Sequence, residues 1–328
     1  ENAIVGVTPN IAARLEAIAP PDGVVISHTT RHLVQGLFTF KDLGLQQLKG
    51  VSQLVPVSLV SDEVEETSSF VARARRGLTP LVGRQAEISR LEELWQQAID
   101  GSGSVVLVTG EPGVGKSRLL ETFKQSLGNS VTPHERLQYQ CSAYHINSAF
   151  YPLISAVTQT LRRIPDRDGQ TPYEKLVGFL GQFAINADHA PIFAQVLSIA
   201  LPDGVVVKET PDAVKKTIFE DWFDLVNRMS ETRPLLLVLE DAHWIDPSTR
   251  ELVMKLVDWA PQHRILALVT RRPAQGFDSE SAARFQDLTL DRLNPDNNRE
   301  MVNKVVGDVL LPQELVDLIV RKTDGVPL

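Results

Sequence analysis

Eight residues constrain this chain more than any others. Gly110-Glu111-Pro112-Gly113-Val114-Gly115-Lys116-Ser117 fits the spacing G-x-x-x-x-G-K-[ST]. An apolar run, Val105-Val106-Leu107-Val108, comes just before it, and a segment with Leu119, Leu120 and Phe123 at helical spacing follows. A strand, a glycine-rich turn and a helix in that order build a cradle for anions. Glycines take positive φ and carry no Cβ, so backbone N–H groups can turn inward around phosphate oxygens. The helix adds its positive amino-terminal end. Lys116 supplies a point charge for β- and γ-phosphates, and the Ser117 hydroxyl can ligate Mg²⁺. The binding candidates are therefore Gly110, Glu111, Pro112, Gly113, Val114, Gly115, Lys116 and Ser117, with Arg118 following in the helix.

Two further runs are almost wholly apolar, Leu235-Leu236-Leu237-Val238-Leu239 and Ile265-Leu266-Ala267-Leu268-Val269. Strands apolar on both faces belong in a parallel sheet covered by helices on each side. The first of these runs ends in Glu240-Asp241, at the carboxyl edge where such sheets bind ligands. One carboxylate there would hold Mg²⁺ through water and the other would polarise an attacking water. The second leads into Thr270-Arg271-Arg272. A basic residue at this point can sense the terminal phosphate. Two adjacent arginines compete for that role, with Arg272 taken as the catalytic candidate. A helix around 85–98 aligns Ile88, Leu91, Leu94, Trp95 and Ala98 on one face. The stretch from about Pro152 to Arg233 is mostly helical in pattern, which makes it a large insertion in an α/β domain.

Composition removes several other functions. The apolar share is 43% and the charged share 23%, ordinary for a globular protein. No apolar run reaches the ~18 residues of a membrane span, and no signal peptide opens the chain. A single cysteine, Cys141, excludes an internal disulfide framework and makes a reducing cytoplasm the expected setting. With 33 Lys+Arg against 41 Asp+Glu, the formal net charge is −8, which argues against direct nucleic-acid contact. Residues 61–78 run acidic, then serine-rich, then basic, and read as a solvated linker. Ahead of it, residues 1–60 read as a helix followed by strands, with Gly23-Val24-Val25-Ile26-Ser27 as a buried strand, Phe38-Thr39-Phe40 as a second and Leu54–Val60 as a third. Sixty residues are few for an α/β core, which fits half a domain. The chain opens on Glu1 and stops at Val326-Pro327-Leu328, so a piece of a longer polypeptide is expected.

Several stretches together resemble the STAND-type regulatory ATPases, the AAA-like group that includes MalT/LuxR-like regulators and is often found behind class III nucleotidyl cyclases. They are Leu81-Val82-Gly83-Arg84-Gln85-Ala86-Glu87, the phosphate loop, Cys141-Ser142-Ala143-Tyr144-His145-Ile146-Asn147-Ser148, Val238 through Thr249, and Gly325-Val326-Pro327-Leu328. The resemblance implies a P-loop NTPase core over 79–284 and the start of a helical lid over 285–328, with ATP and Mg²⁺ as cofactors. It also implies that Val82, Gly83 and Arg84 lie along the nucleotide and that Pro327 touches adenine from the lid. The metal-side position, most often Asp in such ATPases, is Glu240 here, so Glu240 joins Ser117 at the metal and Asp241 becomes the base.

The first sixty residues resemble the C-terminal part of a class III adenylate/guanylate cyclase domain, a partial ferredoxin-like α+β segment. The matching residues are Val5 through Leu15, Gly23 through Ser27, and Leu43-Gly44-Leu45-Gln46-Gln47-Leu48-Lys49-Gly50. In that family an Asn and an Arg four apart orient the ribose and stabilise charge on the α-phosphate. These are Asn10 and Arg14, which a helix would place on one face. The metal-binding aspartates would lie before Glu1, and the base-selecting position falls at Ala3. The segment alone should not cyclise a nucleotide. The implied whole is an ATP-hydrolysing regulatory switch in a cyclase signalling protein, partnered by a second cyclase domain, other domains of the same protein or further copies of itself. The alternative is a nucleotide-gated transcription regulator or scaffold with little turnover. His28 and His32 read as surface histidines and Cys141 as a small buried hydrophobe, while His243 and Trp244 read as packing, with a wall of the nucleotide cleft or an interdomain contact as the alternative.

Overall fold

A computed structural model describes residues 7–34, 38–48, 54–63, 81–128, 132–307 and 311–327. The chain separates into two units, Glu1–Leu78 and Thr79–Leu328. In the first, α1 (Val7–Glu16), β1 (Val24–Ser27), α2 (His28–Val34), β2 (Phe38–Gln46) and β3 (Val55–Glu63) follow one another. The strands form an antiparallel sheet in the order β1-β3-β2, and Leu15, Val25, Leu48 and Val57 supply its buried core. Two expectations are corrected here. Val24 is 59% exposed while Val25 is buried, because successive side chains of a strand point to opposite faces of the sheet, so β1 is only partly buried. Nor does β3 stop at Val60: Glu63 pairs with Phe38, which carries the sheet three residues into the stretch expected as linker. The rest of that stretch lies outside the described residues, as do Ala3, Val5, Gly6, Lys49 and Gly50.

The second unit explains its own apolar runs. Its early elements are α3 (Gln85–Ile99), β4 (Ser104–Gly110), α4 (Lys116–Gly128) and β5 (Glu135–Gln140). A helical insertion follows, made of α5 (Tyr151–Arg163), α6 (Pro172–Gln182), α7 (Ala190–Val196) and α8 (Pro211–Thr232). The chain then returns through β6 (Leu235–Glu240), α9 (Pro247–Trp259), β7 (Ile265–Arg271), α10 (Ser279–Ala282) and β8 (Gln286–Leu290), and ends in α11 (Pro295–Val306) and α12 (Gln313–Thr323). The five strands are parallel, in the order β5-β6-β7-β4-β8. The three apolar runs are thus its three central strands.

Their residues alternate between two cores, because side chains of a strand point to opposite faces in turn. Val105, Leu107, Leu235, Leu237, Leu239, Ile265, Ala267 and Val269 pack on one face with Phe219, Trp222 and Leu252 of α8 and α9. On the other face Val106, Val108, Leu236, Val238, Leu266 and Leu268 meet Leu91 and Trp95 of α3 and Leu119, Leu120 and Phe123 of α4. The insertion keeps a small core of its own around Leu161, Leu176, Phe179 and Leu180. One expected boundary moves. β8 lies beyond 284 yet pairs with β4 from Val106↔Gln286 to Gly110↔Leu290, so the sheet runs to Leu290. Among the described residues no helix is long and apolar enough to cross a membrane.

Candidate functional site

Parallel pairing brings the carboxyl ends of β4, β6 and β7 to one edge of the sheet. The phosphate loop leaves β4 there. Gly113 and Gly115 hold φ of +80° and +105°, a region a side chain would strain. A Cβ on Gly110 would stand 2.8 Å from Val114 Cγ1, so that glycine is required by close packing. Lys116 Nζ donates to the carbonyl oxygens of Gly110 (2.6 Å) and Glu111 (3.0 Å), curling over its own loop. Burial lowers the Lys116 pKa, aided by the Arg272 charge and opposed by Asp241 and Glu111. Arg118 follows in the first turn of α4, where burial lowers its pKa against the pull of Glu121.

β6 delivers the two carboxylates to different surroundings. Glu240 is 4% exposed and accepts from Gln138 Nε2 at 3.1 Å. Burial pushes its pKa up, while the Lys124 charge and a hydrogen bond with Ser117 hold it down. Lys124 is itself buried and paired with Glu121 at 2.7 Å. A serine hydroxyl bonded to a buried carboxylate beside a phosphate cradle is a donor set suited to Mg²⁺, which takes one or two protein oxygens and completes its shell with water and phosphates. Asp241 lies one residue on, in the left-handed region at φ +56°. Its N–H donates to Thr270 Oγ1 (2.9 Å), tying the ends of β6 and β7 together, and its Oδ2 accepts from Gln140 Nε2 (2.7 Å). Neighbouring glutamines of β5 thus hold both carboxylates.

The two arginines at the end of β7 separate cleanly. Arg271 is a brace: its Nε donates to Thr109 Oγ1 (3.2 Å) and its Nη1 to Phe277 O (2.8 Å). Arg272 lies over the Trp244 ring, 5.3 Å from its centroid, and its charge reaches Lys116 and His243.

His243, expected chiefly as a packing residue, lies beside the Asp241 carboxylate instead. Its side chain is 1% exposed, and among the described residues neither ring nitrogen has a hydrogen-bond partner. Its Nδ1 stands 3.8 Å from Asp241 Oδ1. Burial lowers its pKa, and the Arg272 and Lys116 charges add to this against Asp241. Gly276, at φ +82°, lets the following loop press on this turn, since a Cβ there would strike the carbonyl oxygen of Ala242. The only signal in the sequence was the position of His243, two residues after Asp241.

The stretch before α3 joins the loop to the segment that follows β8. Val82 is buried, and Gly83, at φ +66°, faces Asn297 at the start of α11. Arg84 is 6% exposed and fully engaged by the protein: it donates to Glu87 Oε1 (2.9 Å), to Val114 O in the phosphate loop (3.3 Å) and to Asp291 O beyond β8. Its guanidinium is a strut between the loop and that segment. At the far end Leu293 N donates to Gly325 O (2.9 Å), which places Pro327 two residues past that junction. Asn10 and Arg14 belong to the first unit. Both lie on α1, Arg14 is exposed, and the side chain of Asn10 is outside the described residues.

The family model described as "AAA ATPase domain" matches residues 80–269. An uncharacterized protein of Rhizobium meliloti (strain 1021) is 28% identical over 99% of this chain, which spans 31% of that relative's length. Among solved structures, Cdc6p from Pyrobaculum aerophilum is 13% identical, covering 77% of this chain and 58% of its own, with a TM-score of 0.43. The Walker-type ATPase of Pyrococcus abyssi is 14% identical, covering 75% and 65%, with a TM-score of 0.41.

Proposed function

The chain belongs to the AAA ATPase domain family, and from that premise we propose that its second unit is a Mg²⁺-dependent ATPase whose nucleotide state acts as a switch. One observation carries this reading: β6 sets a buried Glu240, bonded to Ser117, and a polar-held Asp241 at the sheet edge occupied by the phosphate loop.

Each residue then has a task. Backbone N–H groups of 113–117, at the start of α4, bind the β- and γ-phosphates, and Lys116 exchanges its two carbonyl partners for phosphate oxygens. Ser117 and Glu240 are the residues that would hold Mg²⁺, which when bound supplies positive charge to the phosphate oxygens. Asp241 accepts a proton from the water that attacks the γ-phosphorus, the bridging oxygen–γ-phosphorus bond breaks, and ADP takes up the electron pair. Arg272 lies near enough to offset charge that develops there. His243, whose ring nitrogens have no hydrogen-bond partner among the described residues, stands beside Asp241 and can donate or accept there.

The lid supports the switch. Arg84 bonds both the phosphate loop and the lid entry, so a change at the phosphates has a direct mechanical route to α11. For the first unit, α1 with Asn10 and Arg14 four apart, set beside an antiparallel sheet, supports the reading as part of a class III cyclase domain. The parent protein would then be a signalling cyclase, with other domains or further copies as partners.

Steady-state phosphate release tests the central part. Turnover that requires Mg²⁺ and disappears in Asp241→Asn is the expected result. ATP binding without turnover in the parent would favour a nucleotide-gated scaffold, and no binding at all would remove the reading.

A further inference from the structure

Three asparagines crowd the first turn of α11, and two have plain structural duties. Asn294 caps the helix, its Oδ1 accepting from the Asn297 backbone N–H at 2.8 Å. Asn298 is 4% exposed, and its carboxamide donates to Thr323 Oγ1 (3.0 Å) and Val320 O (3.4 Å), fastening α11 to α12. The third is different. Among the described residues the Asn297 carboxamide has no hydrogen-bond partner, although the residue is half-buried.

Its position is specific. The carboxamide lies against Gly83, where a Cβ would stand only 2.6 Å from Asn297 Cγ. With φ at +66°, Gly83 is held in a backbone state that keeps this slot free of a side chain. The next residue, Arg84, bonds Val114 O inside the phosphate loop and Asp291 O at the lid entry. Asn297 therefore sits one residue's width from the strut that fixes the loop, on the lid side. A nucleoside whose phosphates occupy the loop has its base to place, and the Val82–Arg84 stretch with the facing turn of α11 is the wall joined to the loop by hydrogen bonds.

A carboxamide presents a donor and an acceptor side by side. That pattern complements the N6–N7 edge of adenine, whereas guanine offers two acceptors at the same edge. Resting on the ATPase reading above, we propose that Asn297 is a base-reading residue that selects adenine over guanine in the nucleotide site. Gly83 is the positioning residue that lets it do so.

The test is a binding competition on the full chain with ATP, GTP, the triphosphate of purine riboside (ATP without its 6-amino group) and inorganic tripolyphosphate. The parent should bind ATP about tenfold or more tightly than either GTP or the purine riboside compound, the scale of one bidentate amide–base pair. In Asn297→Ala both ratios should fall towards one. Tripolyphosphate has no base, so its retention by the variant shows that the loop is still folded. Undiminished preference for ATP in Asn297→Ala, with tripolyphosphate still bound through Lys116, overturns this inference alone. If the parent binds neither ATP nor tripolyphosphate, the ATPase reading fails and takes this one with it.

Discussion

The middle of the five-stranded sheet and its carboxyl edge are a few residues apart and built on opposite terms. In the middle, Leu235, Leu236, Val238, Leu266 and Leu268 are fully buried within two apolar clusters. At the edge lie Glu240, Asp241 and Thr270, where burial pushes a carboxylate pKa up and, among the described residues, an imidazole lacks a hydrogen-bond partner. Some backbone strain is found there too. Phe150, Asp241 and Ala274 all take left-handed conformations that β-carbons disfavour, at φ of +59°, +56° and +55°. One buried anchor keeps this edge in shape: Asp246 Oδ1 accepts from the N–H groups of Phe150 (3.0 Å) and Thr249 (2.9 Å). The difference teaches that folding free energy comes from the strand centres, while the edge holds polar groups in states that only a ligand would complete.

Substitutions in the two regions should therefore differ in kind. The largest effect is expected at the edge. Asp241→Asn should slow phosphate release by about 10²- to 10⁴-fold, the range for a positioned base, with ATP affinity little changed. A variant that turns over like its parent would move the base elsewhere. In the middle, Leu236→Ala should cost about 2–5 kcal/mol of stability and lower the melting temperature on the order of 10 °C, as read by thermal or urea unfolding. A melt that overlays the parent's would break the comparison on its stable side.

The smallest effect has the opposite sign. The folded Glu240 pKa is raised above its unfolded value by burial. Its contribution to stability is thus fully present below the unfolded value, about 4.3, and is lost as pH rises through the folded one. Glu240→Gln should then raise the melting temperature by a few degrees at pH 8 and by little near pH 4, while impairing hydrolysis. A drop at pH 8 would show that the site is not held under electrostatic penalty.

How much the sequence discloses follows the same division. β4, β6 and β7 are legible because strands buried on both faces must be apolar throughout. β8 is not, since Gln286-Asp287-Leu288-Thr289-Leu290 sits on an open edge with two exposed acidic or amide side chains in its first positions, and its pairing with β4 is a tertiary fact. β1 misleads in the reverse way, because Val24 is apolar yet exposed. The phosphate loop is legible because its chemistry is local to eight residues. Arg271 and Arg272 cannot be told apart by type, and only contacts with Thr109, Phe277 and Trp244 separate them. His243 is hidden for the same reason: its isolation depends on a loop some thirty residues later that closes over its turn at Gly276.

The central claim is that the loop at 110–117 grips a triphosphate through its amides and Lys116. Equilibrium binding of Mg·ATP to the chain and to Lys116→Ala measures this directly. The account predicts tight binding by the parent and a loss of roughly 10- to 100-fold in the variant, the scale of a charge-assisted contact worth about 1.5–3 kcal/mol. Equal affinity in the two proteins would contradict it.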